Sequence, residues 1–366
     1  MKIMLCYYND LTVLLSTVFK ELEFDIDYLG KPSKDCLELG IKNSPESWCF
    51  DTKIMMGQAL EGIKRKNNII SLPGAWGGGE RNCFVGYLTR GVMQKRLEKL
   101  TRKKINLWFF NLNPAEIMMS GYTAAYKNIS ELKKYSKIKF FRSRLMKAMV
   151  LGVKKMNLAS DLKQKILTSP EIIDKQAVFK IYDRFMDEMI FVGDTQQKSE
   201  EIYKKAKSEI DSLKKVKLKK IIKIGLVGDY AHTLFSFNPF FDLERFILEQ
   251  NIVVNQPLSF ASYYNFLSPI YSIKNRKELS KIFPQNVSGS DAVTLLTSLY
   301  IKDKVDGIIH IRTFGCMPEE IVNEVLLNNK EKFPPILSLS YDAHTTEENF
   351  KVRIEAFIDM IKNKSR

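Results

Sequence analysis

The chain has 366 residues, of which 45% are hydrophobic and 27% are charged. That length and balance fit two or three domains with ordinary cores, and they exclude collagen-like, low-complexity and wholly disordered proteins. Five cysteines form an odd and sparse set, which argues against a secreted disulfide framework and predicts a reducing, cytoplasmic environment. The first apolar run is too short for a signal peptide, and no stretch approaches about 18 uninterrupted apolar residues, so we expect no membrane association.

The positive charge is concentrated in the middle of the chain. Of the formal net charge of +15, residues 121–220 carry +12, from 24 Lys and Arg against 12 Asp and Glu. The rest of the chain is therefore close to neutral. A shift in charge this sharp is typical of a change of domain.

The first zone, residues 1–118, alternates strand-like and helix-like patterns. Short apolar runs predict strands, and helical periodicity fills the intervals between them. The alternation predicts βαβ units on a parallel sheet. In chain order the clearest runs are KIMLCYY (strand), LTVLLSTVFKEL (helix), NNIISLPG (strand) and KINLWFFNLN (strand).

The middle zone, residues 119–220, shows helical periodicity and no convincing strand, so we predict that the basic excess lies on a helical insertion. Residues 133–147 interleave aromatic and basic side chains, as nucleic-acid-binding surfaces do. The lysines of 198–220 are instead mixed with acidic residues, as on an exposed helix with salt bridges. The helical runs are RLMKAMVLGVKKM, AVFKIYDRFMDEMIF and SEEIYKKAKSEIDSLKKVKLKK.

The last zone, residues 221–366, repeats the alternation and predicts a second α/β domain. The predicted fold class is therefore α/β, with two Rossmann-like or flavodoxin-like parallel-sheet domains and a helical insertion between them. The runs in order are IIKIGLVG, FDLERFILEQ, NIVVNQPL, DAVTLLTSLYIK, GIIHIRTF, PEEIVNEVLLNN, PPILSLSYD and FKVRIEAFIDMI.

Three cysteines, Cys49, Cys83 and Cys316, fall where a strand or turn passes into a helix. The open amides at a helix N-terminus stabilise a thiolate and lower the pKa of its thiol. One cysteine at such a junction is more often a small buried hydrophobe than a ligand, but three at equivalent junctions favour a shared site. We predict that Cys6 packs in the core of the first strand and that Cys36, after a turn, is peripheral.

The cysteine spacing argues against the common cysteine sites. No C-x-x-C occurs, which disfavours a zinc ribbon, a thioredoxin-type redox pair and a ferredoxin-type cluster. A shared site must therefore be assembled by bringing two domains together. Three thiolates with one open position suit a [4Fe–4S] cluster whose fourth iron takes an exogenous ligand.

At these cysteines the sequence resembles the 2-hydroxyacyl-CoA dehydratase D-component family, including its stand-alone members of the CoA-protein-activase type. The resemblance covers both α/β zones in the same order, and FGCMPE and the closing segment are its most specific parts. The matching stretches are SPESWCFDTKIMMGQ, GAWGGGERNCFVGYL, GIIHIRTFGCMPEEI and ILSLSYDAHTTEENFKVRIEAFIDMI.

The resemblance implies a [4Fe–4S] cluster held between two α/β domains by the same three cysteines. It also implies low-potential one-electron transfer in an anaerobic cytoplasm, serving the dehydration of an (R)-2-hydroxyacyl-CoA. The implied partners are a separate cluster-carrying ATPase, an acyl-CoA substrate, and a second subunit in a homodimer or heterodimer. Residues expected at the edge of the site are Glu46, Glu319 and His344, and the catalytic side chains stay unassigned.

Phosphate-binding motifs are weak in this chain. No GxxxxGK[ST] loop occurs, so ATP hydrolysis by a P-loop is not predicted, which fits a protein that receives electrons from an ATPase. The glycines of GLVGDYAH, residues 225–232, are more typical of a tight strand-to-helix turn than of a phosphate loop.

Two alternatives to the dehydratase interpretation stay open. A double-cubane-type reductase of small molecules would need about six cysteine ligands, and the chain has five in all. A non-enzymatic binding protein would use the basic helical insertion to contact an acidic protein or, as the less favoured partner, nucleic acid. Iron in the purified protein would separate the redox interpretations from the binding one.

Overall fold

The computed structural model describes residues 1–73, 88–110, 129–139, 141–229, 233, 241–263, 268–283, 290–342 and 344–364. Within these residues, two four-stranded and wholly parallel sheets are accompanied by helices. The predicted α/β class with two parallel-sheet domains is therefore confirmed. The domain boundaries at residues 118 and 220 stay a prediction.

The first sheet has the strand order β2-β1-β3-β4. Its connections contain helices, as crossovers between parallel strands usually do. The strands are β1 Lys2–Leu5, β2 Asp25–Tyr28, β3 Ile69–Pro73 and β4 Asn106–Phe110. The helices are α1 Asp10–Glu21, α2 Lys34–Asn43, α3 Phe50–Lys64 and α4 Gln94–Thr101, the last entered through a π-helical turn at Leu88–Met93.

The described part of the middle zone consists of helices and their connections. The longest of these helices has 27 residues, yet among the described residues no helix is both long and apolar enough to cross a membrane. The elements are a 3₁₀ turn at Glu131–Tyr135, then α5 Phe141–Leu167, α6 Lys175–Phe191 and α7 Gln196–Ser212.

The second sheet has the order β6-β5-β7-β8. Its strands are β5 Lys223–Gly228, β6 Val253–Asn255, β7 Gly307–Thr313 and β8 Ile336–Tyr341. Its helices are α8 Leu243–Glu249, α9 Phe260–Tyr263, α10 Ile273–Ile282, α11 Ser290–Ile301, α12 Met317–Asn328 and α13 Glu347–Lys364. Short 3₁₀ turns lie at Pro269–Tyr271 and Lys330–Lys332.

The two sheets share one topology. Counted within each sheet, both strand orders read 2-1-3-4. In this flavodoxin-like order the direction of winding reverses between the first and third strands, and ligands bind in the crevice at their carboxyl ends. One such crevice is therefore expected after β1 and β3, and a second after β5 and β7.

The core of the second sheet explains why its strands are so apolar. β7 lies between β5 and β8, and Ile308, Ile309 and Ile311 are fully buried. A central parallel strand is covered on both faces and so reads as a nearly continuous apolar run.

Helices α2 and α3 pack closely through glycine. A Cβ atom on Gly57 would collide with the backbone carbonyl of Cys36, and one on Gly40 would collide with that of Lys53. The close approach covers Cys36, which is 3% exposed. The prediction that Cys36 is peripheral was therefore wrong, because the turn before it leads directly under α3.

Helix α5 contacts both α/β units. Towards the first it packs along α1, where a Cβ atom on Gly152 would lie 3.1 Å from Cγ of Leu14. Towards the second, the hydroxyl of Ser160 donates to the hydroxyl of Ser259 at 2.8 Å. The middle zone therefore packs between the two α/β units and contributes to their relative placement.

Candidate functional site

Cys49 is the N-cap residue of α3. Its side chain is half-buried, while its neighbours Trp48 and Phe50 are buried. The Sγ atom lies 3.1 Å from Oγ1 of Thr52, in the first turn of the helix. The thiol therefore lies at a helix end whose unpaired N–H groups favour negative charge.

Cys316 is the N-cap residue of α12 and is also half-buried. Gly315 leaves β7 with φ of +77°, a left-handed conformation that residues with a Cβ adopt poorly. Pro318 follows in the first helical turn, where its missing N–H removes no helical hydrogen bond. The F-G-C-M-P sequence thus encodes a sharp turn that ends with a thiol at a helix N-terminus.

The thiol of Cys316 lacks the lowered pKa that its helix N-terminus predicts. Burial raises its pKa well above the ordinary value, and the nearby charges of Asp229 and Glu319 raise it further. A hydrogen bond from the backbone N–H of Glu319 opposes the rise but does not overcome it. Cys49 contributes to the same rise, so the two thiols lie within electrostatic range of each other.

A polar network joins the two cysteine segments. The hydroxyl of Tyr341, at the end of β8, lies 2.6 Å from Oγ1 of Thr313 and 3.2 Å from Oδ2 of Asp229. The same hydroxyl lies 3.4 Å from Oδ1 of Asp51, two residues after Cys49. The carboxyl ends of β5, β7 and β8 therefore meet the N-terminus of α3.

Asp51 and Asp229 form a carboxyl pair within this network. Burial raises the pKa of Asp51 well above its ordinary value, and the charge of Asp229 and a hydrogen bond with its carboxyl group raise it further. Two adjacent carboxylates in such a place cannot both ionise without a large cost. The raised pKa of Asp51 therefore reflects the close contact of two carboxyl groups that come from the two α/β units.

Apolar side chains flank Cys316 on the outside. Phe314 is 67% exposed and Met317 is 61% exposed. Large exposed apolar side chains grouped at one place are typical of interaction surfaces. The described side chains thus give the site a polar interior and an apolar rim.

The other predicted residues do not share one environment. Glu46 and His344 are both exposed, and the backbone N–H of His344 donates to Oδ1 of Asp342 at 2.8 Å. Cys83 lies outside the described residues. Their assignment to the site stays a prediction.

Glu319 is buried beneath the N-terminus of α12. Its Oε2 lies 2.9 Å from Nε2 of His310, and its Oε1 accepts a hydrogen bond from Thr294 at 3.0 Å. Burial raises the pKa of Glu319. Its carboxyl group therefore anchors the first turn of α12, next to Cys316, to β7 and α11.

Sequence reasoning missed four residues of the network: Asp51, Asp229, Thr313 and Tyr341. A signal for three of them exists, since Asp229 directly follows β5 while Thr313 and Tyr341 end β7 and β8. The carboxyl ends of neighbouring parallel strands meet at one sheet edge, so polar residues there are expected to lie together.

The chemistry of the donor set fits an iron–sulfur cluster. Thiolates are the usual ligands of such clusters, and Cys49 and Cys316 supply two thiols at one contact between the sheets. Coordination removes the proton of a thiol, which offsets the raised pKa of Cys316. Among the described residues no group of three or more His, Cys, Asp or Glu makes a metal site, and the third predicted thiol belongs to the residues not described.

Comparison with known proteins assigns a family. A search of curated proteins finds no match to the chain. The family described as 2-hydroxyglutaryl-CoA dehydratase, D-component, matches residues 45–361, which is most of the 366 residues. The matched range includes Cys49, the Asp51–Asp229 pair, Cys316 and Tyr341. The chain therefore belongs to the 2-hydroxyglutaryl-CoA dehydratase D-component family.

Proposed function

We propose that the chain is an iron–sulfur component of a 2-hydroxyacyl-CoA dehydratase system. Cys49, Cys83 and Cys316 are the ligands of one [4Fe–4S] cluster. The role of the protein is low-potential one-electron transfer in the dehydration of an (R)-2-hydroxyacyl-CoA, after activation by a separate ATPase. Family membership supports the dehydratase class.

One observation carries the proposal: two of the three thiols occupy matching N-cap positions on helices of the two α/β units, and the hydroxyl of Tyr341 contacts the segments of both. Unrelated structural cysteines have no reason to share this placement.

The residues of the chain have distinct roles in this proposal. Cys49 and Cys316 would hold the cluster, one from each α/β unit, and the cluster would supply a low-potential electron. The Asp51–Asp229 pair lies between the two segments that carry these thiols. Phe314 and Met317 form an exposed apolar rim beside Cys316 that suits contact with a partner or substrate.

The test is reduction of the cluster by a partner. A low-potential cluster lies uphill of ordinary donors, and about 0.3 V costs about 7 kcal/mol for one electron. The chain contains no P-loop motif, so a separate cluster-carrying ATPase must couple hydrolysis to the transfer. We expect anaerobic EPR to show the reduced cluster when the chain is mixed with that ATPase, reductant and ATP.

The control mixture lacks ATP and is otherwise identical. We expect little or no reduced signal in it. A signal of equal intensity without nucleotide would contradict ATP-driven transfer and would favour an ordinary ferredoxin-like role.

A second candidate function is docking of an acidic partner by the middle zone. Lys133, Lys134, Lys137 and Lys139 are all exposed on one short segment. By contrast, Lys165 of α5 forms an ion pair with Asp211 of α7 at 2.5 Å. A cluster of exposed cations attracts negatively charged surfaces over a distance set by ionic strength, so this function predicts an association that weakens steeply with salt.

A further inference from the structure

Tyr341 contacts the segment that carries Cys49. Its ring packs edge-on against the ring of Phe50, with centroids 5.1 Å apart and planes at 89°. Phe50 directly follows Cys49, and the hydroxyl of Tyr341 lies 3.4 Å from Oδ1 of the next residue, Asp51. One side chain therefore touches both residues that follow the first thiol.

Tyr341 also contacts the segment that carries Cys316. Its backbone carbonyl accepts a hydrogen bond from the N–H of Phe314 at 2.8 Å. Its hydroxyl lies 2.6 Å from Oγ1 of Thr313. These two residues form the end of β7 and the start of the turn that leads into Cys316.

The surroundings leave Tyr341 little freedom. The residue is 2% exposed, and its backbone is fixed by the pairing of β8 with β7, in which Thr313 lies opposite it. A buried ring with these contacts fixes the position of the Phe50 segment relative to the end of β7, because packed interiors do not deform continuously.

We propose that Tyr341 is a positioning residue that fixes the placement of the Cys49 segment relative to the Cys316 segment. This inference rests on the proposed function for its purpose, since a shared cluster requires thiols held at a constant separation. The contacts themselves belong to the chain alone, so they can be tested without any cluster.

The informative substitution is Tyr341→Phe. It keeps the ring on Phe50 and the backbone bond to Phe314, and it removes the hydroxyl that links Asp51 to Thr313. A matched control is Tyr182→Phe, because Tyr182 is 4% exposed and its hydroxyl donates to Oδ1 of Asn9 at 3.1 Å. The control loses a buried hydroxyl of the same kind away from both cysteines.

The first measurement is amide hydrogen exchange of the full chain without iron. In Tyr341→Phe we expect exchange to become about tenfold faster in two segments together, residues 49–53 and 314–320, because one buried hydroxyl contacts both Asp51 and Thr313. In Tyr182→Phe both segments are expected to keep wild-type rates. Unchanged rates in Tyr341→Phe, or a change in one segment only, would overturn the positioning role.

The second measurement uses the cluster-loaded protein. We expect Tyr341→Phe to bind as much iron as wild type and to give a broadened or shifted EPR signal, and Tyr182→Phe to give the wild-type signal. A wild-type chain that binds no iron would sink the proposed function, while the exchange experiment would still decide the role of Tyr341. An unaltered EPR signal at full iron content would count against fixed thiol placement.

If Tyr341→Phe yields no folded protein, Phe50→Leu removes the ring contact of Tyr341 from the α3 side and leaves the Asp51–Asp229 pair in place. The joint increase in exchange at both segments is expected there as well. Faster exchange confined to residues 49–53 would overturn the inference, because it would show that the two segments are not coupled.

Discussion

The two sheets have the same strand order, yet the carboxyl end of the first strand is used differently in each. After β1 come Tyr7, Tyr8, Asn9 and Asp10, all of them at most 3% exposed. The middle zone covers this end, with the hydroxyl of Tyr182 donating to Asn9 at 3.1 Å. The described residues at this end of the first sheet therefore form a closed contact.

The corresponding end of the second sheet is bordered by exposed apolar residues. Asp229 follows β5 and is 4% exposed, but the turn after β7 carries the exposed Phe314 and Met317 on either side of the half-buried Cys316. A shared topology therefore supplies two potential crevices, and the local covering decides which one is available for chemistry.

The largest expected effect is on iron binding at the carboxyl end of the second sheet, where Cys316 lies. Cys316→Ala should lose essentially all bound iron, because a cluster with three protein ligands has no spare thiol. The measurement is iron content after anaerobic purification. Cys6→Ala is the control, since Cys6 is fully buried after β1, and equal iron in the two variants would remove Cys316 from the site.

A large stability effect is expected where β5 ends. Gly228 has φ of +122°, and a Cβ atom there would collide with the backbone carbonyl of Ile311. Gly228→Ala should therefore lower the free energy of unfolding by about 2–5 kcal/mol, measured by chemical denaturation.

The control for Gly228→Ala is a glycine at the carboxyl end of the neighbouring strand β7. Gly315 has φ of +77°, and a Cβ atom added to it would meet no described atom within 4 Å beyond its chain neighbours. Gly315→Ala should cost only about 1–2 kcal/mol, the cost of left-handed backbone alone. Equal losses in the two variants would mean that close packing at Gly228 is not what closes the β5 turn.

The buried carboxyl end of β1, where Asp10 lies, predicts that the stability of the protein depends on pH. Burial raises the pKa of Asp10 to about 7, and backbone N–H donors, including that of Ala261, oppose the rise. The folded state therefore holds this proton more tightly than the unfolded state, where the ordinary value is 3.8. The stability that this bound proton contributes is complete below about pH 4 and is lost as pH rises towards about 7.

Asp10→Asn removes that titration. The variant should match wild type near pH 4 and be more stable by about 2–4 kcal/mol at pH 8, as measured by denaturation across the pH range. Asp25→Asn, at an exposed position, is the control and should track wild type throughout. A constant difference in stability between Asp10→Asn and wild type across that range would contradict the raised pKa of buried Asp10.

The smallest stability effect is expected in the middle zone. Replacing Lys133, Lys134, Lys137 and Lys139 with Glu should change stability by only about 0.5 kcal/mol at each exposed site, while it weakens association with an acidic partner. Binding at several salt concentrations and thermal unfolding measure the two effects. A large loss of thermal stability with unchanged binding would assign these lysines to folding and not to docking.

Much of the fold follows from the sequence because apolar runs mark the strands, but β2 shows where that signal fails. Asp25 and Asp27 interrupt the apolar pattern of β2. The strand exists because it pairs with β1 and because Asp27 forms ion pairs with Lys2 and Arg65 at 3.4 and 3.5 Å. Such stabilisation by distant residues is invisible to local periodicity.

The end of α7 shows a second limit. The helical pattern continues to residue 220, yet the helix ends at Ser212. The chain leaves the helix because the carbonyl of Lys214 accepts a hydrogen bond from Ile173, and Val216 donates to the carbonyl of Glu171 at 2.8 Å. Backbone pairing with a distant turn outweighs helix propensity here.

The candidate site divides in the same way. The placement of Cys49 and Cys316 at helix N-termini could be predicted, because local capping patterns mark those ends. The contact of Asp51 with Asp229 and Tyr341 could not, because Asp51 belongs to the first α/β unit and only the packing of the two units brings it to the second sheet. The raised pKa of Cys316 follows from that packing and not from its helix.

Whether the chain holds a cluster is tested by iron and acid-labile sulfide analysis of the full wild-type chain kept free of oxygen. A cluster held by Cys49, Cys83 and Cys316 predicts about four iron and about four sulfide per chain, with a brown colour and broad absorbance. A colourless protein without iron or sulfide, still folded and after an attempt at anaerobic reconstitution, would contradict the claim.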